Sequence, residues 1–188
     1  MKYIKQFENM IPKLDFSNEN LTKLPKLPKN LKMLNCTNNN LTELPELPNT
    51  LEYLYCGINN LTTLPKLPES LKELNLYSNN ISELPTLPDN LKILWCSSND
   101  LSELPKLPES LDELFCDDNN LNELHPLPRS LSILNCENNK LTTLPILPES
   151  LIYLYCKNNK LPYNNLKEYK KGFAKNYPEV VNAKKFNI

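Results

Sequence analysis

With 188 residues, of which 40% are hydrophobic and 23% charged, the chain has the size and composition of one soluble globular domain. Its formal net charge of -1 hides an asymmetry, because residues 1–160 carry 15 basic and 20 acidic side chains while residues 161–188 carry six lysines and two acids. An acidic body matches a nucleic-acid backbone poorly, and no segment approaches the roughly 20 apolar residues that span a bilayer, so we expect neither a nucleic-acid partner nor a membrane partner.

Residues 1–10 precede the first copy of a repeat that organises the chain, and they are too few for more than a strand or one turn of helix. We expect them to form an N-terminal cap, because the end of a repeat array exposes its core. Lys2 and Lys5 stand where a signal peptide would carry its apolar segment, so no secretory leader is expected.

A line of 20 residues then recurs through residues 11–162. Residues 31–48 read LKMLNCTNNNLTELPELP, and an imperfect first copy begins at Ile11. Equivalent lines begin at Leu51, Leu71, Leu91, Leu111, Leu131 and Leu151. The spacing L-x-x-L-x-[CL]-x-x-N-x-L is that of leucine-rich repeats at the short end of their length range. It predicts one solenoid in which every coil repeats the contacts of its neighbours.

Each line begins with a predicted strand, as in Leu34, Asn35 and Cys36, where apolar side chains alternate with outward-facing ones. Stacked copies of this strand predict one parallel sheet. An asparagine recurs after every strand, where the chain turns, at Asn39, Asn59, Asn79, Asn99, Asn119, Asn139 and Asn159. We expect these amides to satisfy backbone groups of the turn in their own coil and in the next one.

The segment Leu-Pro-x-Leu-Pro, as in residues 44–48, returns the chain to the next strand. Its two prolines remove two backbone donors and fix φ at about -65°, which favours an extended, polyproline-like path and excludes a helix. The convex side is therefore predicted to be thin and irregular. Because the chain has 17 prolines and only 2 glycines, proline is predicted to be the device that turns it.

Residues 163–188 depart from the repeat and predict a short helical cap at the C-terminus. The apolar face of the predicted helix comprises Leu166, Tyr169 and Phe173. Asn164 or Asn165 would be its N-cap, and Pro178 would end it. A second short helix is expected over residues 179–186.

The repeat line resembles the short, bacterial type of leucine-rich repeat. Similar lines occur in secreted effectors such as Yersinia outer protein M and the Shigella IpaH ubiquitin ligases, and in repeat proteins of giant DNA viruses. The resemblance covers residues 11–162 and implies a right-handed β/α-type superhelix with a parallel sheet on its concave side, which in this family generally recognises host proteins. Only residues 163–188 follow the repeats, so the catalytic domain of the IpaH ligases is not expected.

All six cysteines occupy one inward column, in which Leu76 takes the seventh place: Cys36, Cys56, Cys96, Cys116, Cys136 and Cys156. Side chains on neighbouring parallel strands do not converge as a disulfide requires, so we expect buried free thiols that act as small hydrophobic groups. Unpaired cysteines favour a reducing compartment, the cytoplasm of the source organism or of a host cell. No two cysteines are close enough in sequence to suggest a zinc site.

Catalysis has little support in the sequence. The only histidine, His125, lies on the predicted convex side without an acid or nucleophile in its column, so it is not expected to be a catalytic base, and neither an enzymatic activity nor a cofactor is expected. The densest acidic patch comprises Asp100, Asp117, Asp118 and Glu137. Calcium binding by these acids is an alternative to the favoured interpretation, in which they are solvated side chains at strand ends.

Aromatic and acidic side chains recur on the outward face of the predicted strands. The chain's single tryptophan and five of its nine tyrosines project there. The candidate partner-binding residues are Tyr53, Tyr55, Tyr77, Trp95, Phe115, Tyr153, Tyr155, Glu73, Glu113 and Asp117. Large rings on a sheet that no helix covers favour partner binding, with cross-strand stacking as the structural alternative. The acids among them predict a partner patch of basic character.

The sequence therefore predicts a non-catalytic module that recognises a partner protein through its concave face. In its most specific form, the hypothesis is a virus- or pathogen-encoded host-interaction protein. The alternative is a self-associating scaffold, although a monomer is favoured over a homo-oligomer. Carbohydrate binding by aromatic stacking is a lesser alternative.

Overall fold

A computed structural model describes residues 12–176 of the chain. It contains one parallel sheet of eight strands in chain order, followed by one helix. The strands are β1 (Lys13–Asp15), β2 (Met33–Asn35), β3 (Tyr53–Tyr55), β4 (Glu73–Asn75), β5 (Ile93–Trp95), β6 (Glu113–Phe115), β7 (Ile133–Asn135) and β8 (Tyr153–Tyr155), and the helix is α1 (Leu166–Asn176). The predicted leucine-rich-repeat solenoid, with its concave parallel sheet and C-terminal helix, is confirmed.

The strands pair in the register that the repeat predicts. Leu74 of β4 lies opposite Leu94 of β5, which in turn lies opposite Leu114 of β6, and every pair along the sheet is likewise separated by one repeat. The middle residue of each three-residue strand points inward and is buried from β2 to β8, while the residues on either side of it face outward. Equivalent side chains therefore stack in columns along the solenoid.

The convex side carries no helix and no strand between β1 and β8, as the proline pairs predict. Each coil instead closes on a turn in which a leucine N–H donates to the carbonyl three residues earlier. In one coil Leu91 donates to Pro88 at 3.1 Å, and in the next Leu111 donates to Pro108 at 3.1 Å. The leucines before the prolines point into the core and complete it.

The asparagines after the strands form a buried ladder. The Asn79 Nδ2 donates to the carbonyl oxygens of Leu76 at 2.9 Å and Cys56 at 3.1 Å, and its Oδ1 accepts the Leu61 N–H at 2.9 Å. Cys56 and Leu61 belong to the preceding coil. The sequence-based expectation was thus right about the backbone groups and wrong about the direction, because the amides connect to the coil before their own.

A second ladder, which the sequence did not predict, joins the coils just before the strands. The Ser110 Oγ lies 2.6 Å from the carbonyl oxygens of both Asp89 and Leu91 in the preceding coil. Equivalent pairs of contacts are made by Thr50, Ser70, Ser130 and Ser150. Each hydroxyl has one proton, so it donates to one of its two carbonyl oxygens at a time, and these carbonyls lie outside the strands.

Proline is not the only turning device, contrary to the prediction. From the coil of β2 to that of β8, the residue just before each ladder asparagine has a positive φ, and none of these residues is glycine. Several are asparagines, such as Asn38 with φ 56°, which tolerate this conformation. Ile58 adopts φ 54° although it is β-branched, and its side chain is 43% exposed. Its backbone strain costs of order 1–3 kcal/mol.

The thiols of all six cysteines are buried and unpaired, as expected. Burial raises the pKa of Cys36 to about 12 and that of Cys156 to about 11. The thiols are therefore protonated at neutral pH, and because the thiolate is the reactive form, they are chemically inert.

The helix α1 begins where the sequence predicts. The Asn165 Oδ1 accepts the Glu168 N–H at 3.0 Å, and the Glu168 carboxylate accepts the Asn164 N–H at 2.8 Å. Tyr169 packs edge-on against Tyr163 with ring centroids 5.1 Å apart, which seats the helix on the last coil. The N-terminal cap over residues 1–10, the Phe173 side chain and the second helix over residues 179–186 lie outside the described residues.

No helix within residues 12–176 combines the length and apolar character that crossing a membrane requires.

Candidate functional site

The ten candidate residues all lie on the concave surface, which we define as the outward residues of β1 to β8 together with the residue two positions after each strand. Tyr77, Tyr153 and Tyr155 are exposed, with Tyr77 at 45%. The others, Tyr53, Tyr55, Glu73, Trp95, Glu113, Phe115 and Asp117, are half-buried by their neighbours. The stacking of equivalent positions in successive coils therefore places these residues on one face but not in one cluster.

The centre of the concave surface is an aromatic pair with a shallow depression beside it. Trp95 and Phe115 are register partners on β5 and β6, and their ring centroids are 6.1 Å apart with the planes inclined by 42°. Together with Tyr77 and Asp117 they line a depression of about 300 Å³ that is open to solvent. We call it the central depression, and it contains four of the ten predicted residues.

Three polar side chains complete the central depression and were not singled out from the sequence. The Asn75 Oδ1 accepts the N–H of Tyr77 at 3.0 Å, and the Ser97 Oγ donates to the Asp117 Oδ1 at 2.5 Å. Asn135, at the other end, accepts the N–H of residue 137 at 3.2 Å. They occupy the same columns as the aromatic residues, and this shared position was the available signal.

Tyr55 belongs to a different arrangement. Its hydroxyl donates to the Glu73 carboxylate across β3 and β4 at 2.7 Å. Burial, and then this hydrogen bond to Glu73, raises the pKa of Tyr55 well above its ordinary value. For Tyr55 and Glu73 the cross-strand structural role that the sequence left open is therefore present.

Tyr153 and Tyr155 form a separate group at the end of the sheet. Their rings lie nearly parallel, with centroids 6.5 Å apart and an interplanar angle of 8°. Neither tyrosine lines the central depression, although Asn135 at its end is the register partner of Tyr155. Ile152 beside them is also exposed, so the last coil presents a small apolar patch.

The middle of the concave surface is acidic. From β4 to β7 its outward positions hold Glu73, Glu113, Asp117 and Glu137, and they hold no lysine or arginine. Burial raises the pKa of Glu113, and the neighbouring charges of Asp112 and Glu73 raise it further. The nearest cation on the concave surface is Lys157, which follows β8 and lies one coil after Glu137.

A cationic edge lies beside β2 to β4, just outside the concave surface. Glu52 accepts hydrogen bonds from Lys32 and, at 2.6 Å, from Lys72. These contacts hold the pKa of Glu52 below its ordinary value and that of Lys72 above it. Because the two lysines are partly exposed, the network is a surface feature of modest energy.

Among residues 12–176, no three His, Cys, Asp or Glu side chains come close enough together to share a metal ion. Asp117 instead bonds to Ser97, and its neighbour Asp118 is exposed at the turn. His125 is exposed on the convex side, away from the concave surface.

Comparison with solved structures finds similar solenoids in bacterial effectors. YopM from Yersinia enterocolitica WA-314 is 44% identical with a TM-score of 0.75, over 76% of this chain and 32% of that one. The leucine-rich effector protein YopM from Yersinia pestis is 31% identical with a TM-score of 0.61, over 80% and 56% respectively. A Shigella effector leucine-rich-repeat domain is 35% identical with a TM-score of 0.68, over 79% and 70%.

The chain thus spans about a third of the first of these proteins and about half of the second. No protein-family profile and no curated protein sequence matches the chain.

Proposed function

Because the chain belongs to the bacterial type of leucine-rich-repeat proteins found in Yersinia and Shigella effectors, we propose that it is a non-catalytic module that binds a partner protein on its concave surface. Leucine-rich-repeat solenoids of this family are protein-interaction modules, and their extended concave sheets suit large partners. Effectors among the similar structures support a partner that is a host protein.

The central aromatic pair is the observation that carries this proposal. Trp95 and Phe115 lie half-buried on a sheet that no described helix covers, and the exposed ring of Tyr77 adjoins them. Exposed apolar surface is costly in water unless a partner covers it, and tryptophan and tyrosine are enriched among the residues that dominate binding energy. A partner that covers this cluster would gain energy that the free solenoid lacks.

The buried thiols bear on where the module works. All six are unpaired and protonated at neutral pH, which suits a reducing compartment such as the cytoplasm of a host cell. This proposal about location stands apart from the one about the concave surface.

Affinity capture with a concave variant tests the proposed function. The concave variant carries Tyr77→Ala, Trp95→Ala and Phe115→Ala, and it is compared with the wild-type chain. The control is a convex variant with the same number of alanine substitutions at positions exposed on the opposite side, Lys106→Ala, His125→Ala and Ile146→Ala. We expect the concave variant to retain at least about tenfold less of the partner. Truncating an aromatic ring at the centre of an interface costs about 2 kcal/mol or more of binding free energy.

The captured protein is then purified, and its affinity for all three chains is measured by calorimetry, after circular dichroism has shown that they fold alike. Equal affinity for the wild-type chain and the concave variant would contradict the proposal. Loss of affinity in the convex variant alone would move the binding site to the proline-rich side.

Self-association is a second candidate that one observation favours. Ile152, Tyr153 and Tyr155 are exposed on the last coil, where a second copy of the chain could pack against their side chains. Light scattering at high protein concentration separates the two candidates, since a species that stays at 21.8 kDa excludes self-association. We propose the monomer as the working form.

A further inference from the structure

We infer that the central depression binds the guanidinium group of an arginine side chain that the partner protein presents. The inference rests on the proposed function and names the chemical group that the concave surface recognises. Three observations carry it: the inclined ring pair, the Asp117 carboxylate that faces the depression, and the absence of any cation among the outward residues from β4 to β7.

The aromatic pair provides a surface for a planar cation. Trp95 and Phe115 lie 6.1 Å apart with their planes inclined by 42°, so they form an open angle and not a closed stack. A cation over the face of an aromatic ring is attracted by the ring's quadrupole, most strongly by tryptophan. The flat guanidinium of arginine also stacks on a ring, which the compact ammonium of lysine does not do.

Asp117 provides the matching charge at the wall of the depression. Its Oδ1 accepts the Ser97 hydroxyl at 2.5 Å, which fixes the carboxylate, while its Oδ2 has no hydrogen-bond partner among the described residues. Glu137 follows it one coil on in the same column, and Glu113 lies on the same coil beyond Phe115. A charge-assisted hydrogen bond from a cation to such a carboxylate is about twice as strong as a neutral one.

The ends of the depression add neutral acceptors. The amide oxygens of Asn75 and Asn135 each accept one backbone N–H, of residues 77 and 137, and a carbonyl oxygen has a second lone pair to offer. Arginine carries five N–H donors in a fixed plane, whereas lysine carries three on one atom. The set of acceptors around the ring pair therefore matches arginine better than lysine.

The same features disfavour other occupants. The outward residues from β4 to β7 include four carboxylates and no cation, so they repel an anionic segment. A neutral sugar could stack on the rings, but it would not use the charge of Asp117. A ligand that keeps the shape and donors of arginine but lacks its charge distinguishes these cases. Citrulline is such a ligand.

Trp95 makes the experiment direct, because it is the only tryptophan in the chain. Its fluorescence is titrated in the full-length protein with capped tetra-arginine, tetra-lysine and tetra-citrulline peptides. We expect a saturable change with tetra-arginine, a dissociation constant at least about tenfold higher with tetra-lysine, and no saturation with tetra-citrulline. Equal dissociation constants for the arginine and lysine peptides, or saturation by the citrulline peptide, would overturn the inference.

A matched pair of variants locates the site. Asp117→Asn and Asp112→Asn remove the same charge, but Asp112 is exposed beside the concave surface and does not line the depression. We expect Asp117→Asn to raise the dissociation constant of tetra-arginine at least about fivefold, and Asp112→Asn to raise it less than about twofold. Similar effects of both variants would mean that the peptide responds only to the overall negative charge of the surface, and the inference would fail.

The outcome is independent of the capture experiment. Capture that depends on the aromatic residues, combined with a negative peptide titration, would leave the proposed function standing and reject the guanidinium site. Saturable arginine binding, combined with capture that does not depend on the aromatic residues, would reject the proposed function and leave the guanidinium site standing.

Discussion

Replacing Asn79 by alanine is expected to lower the free energy of unfolding by about 3–5 kcal/mol, an effect at the upper end of what single substitutions cause. The buried amide makes two hydrogen bonds to carbonyl oxygens and accepts one from the Leu61 N–H. Alanine leaves the Leu61 N–H without a partner in the interior, which costs about 1–3 kcal/mol. The two carbonyl oxygens keep one donor each, from Asn59 and Asn99, so each bond lost there costs about 0.5–1.5 kcal/mol. Urea denaturation followed by circular dichroism measures the change.

Asn80→Ala is the matched control for this prediction. Asn80 is the adjacent asparagine, but its side chain is exposed, and only its backbone N–H is used, donating to the carbonyl oxygen of residue 61 at 2.9 Å. We expect a change of less than about 0.5 kcal/mol, as for ordinary surface positions. If the two variants lost similar stability, the amide ladder would not be what joins the coils.

Leu94→Ala is expected to destabilise the solenoid by about 2–5 kcal/mol. Leu94 is the middle residue of β5, fully buried between Leu74 and Leu114 in the central column. Removing its side chain deletes apolar contacts and leaves a cavity that stacked neighbours on both sides cannot collapse to fill. Thermal and urea unfolding should both report the loss.

The neighbouring position on the same strand gives the contrast. Ile93 points to the concave surface and is only half-buried, so we expect Ile93→Ala to cost less than about 1.5 kcal/mol. Equal losses at the two positions would contradict the inward and outward alternation on which the definition of the concave surface depends.

The architecture was predictable because one short sequence pattern recurs many times along the chain. The alternation in Leu34, Asn35 and Cys36 indicates a strand, and its recurrence every 20 residues indicates parallel stacking in register. The helix cap was equally local, since Asn165 and Glu168 are spaced as a helix N-terminus requires. Such features depend on residues near one another in sequence, or on strict periodicity.

Other features depend on how one coil sits on the next. The direction of the Asn79 hydrogen bonds, the double contacts of Ser110 and the positive φ of Ile58 follow from the rise between coils and the hand of the turn. The repeat line fixes neither quantity. The serine column and the residue before each ladder asparagine were visible in the sequence, but nothing in their residue types identified these roles.

The candidate site was predictable as a face but not as a cluster. Alternation places Tyr55, Trp95 and Tyr155 on the same surface. It does not reveal that Tyr55 is bonded to Glu73, or that Tyr155 belongs to a separate patch at the last strand. Those distinctions arise from side-chain conformations, which depend on neighbours one coil away.

A fluorine label on the concave surface tests the central claim, partner binding there, most directly. Fluorotryptophan is incorporated into an Ile146→Trp variant, which then carries one label at Trp95 and one on the convex side, where Ile146 is 84% exposed. On adding the captured partner, we predict a change in the chemical shift of the Trp95 resonance and no change for the convex label. A shift of the convex resonance while that of Trp95 stays in place would contradict concave-surface binding.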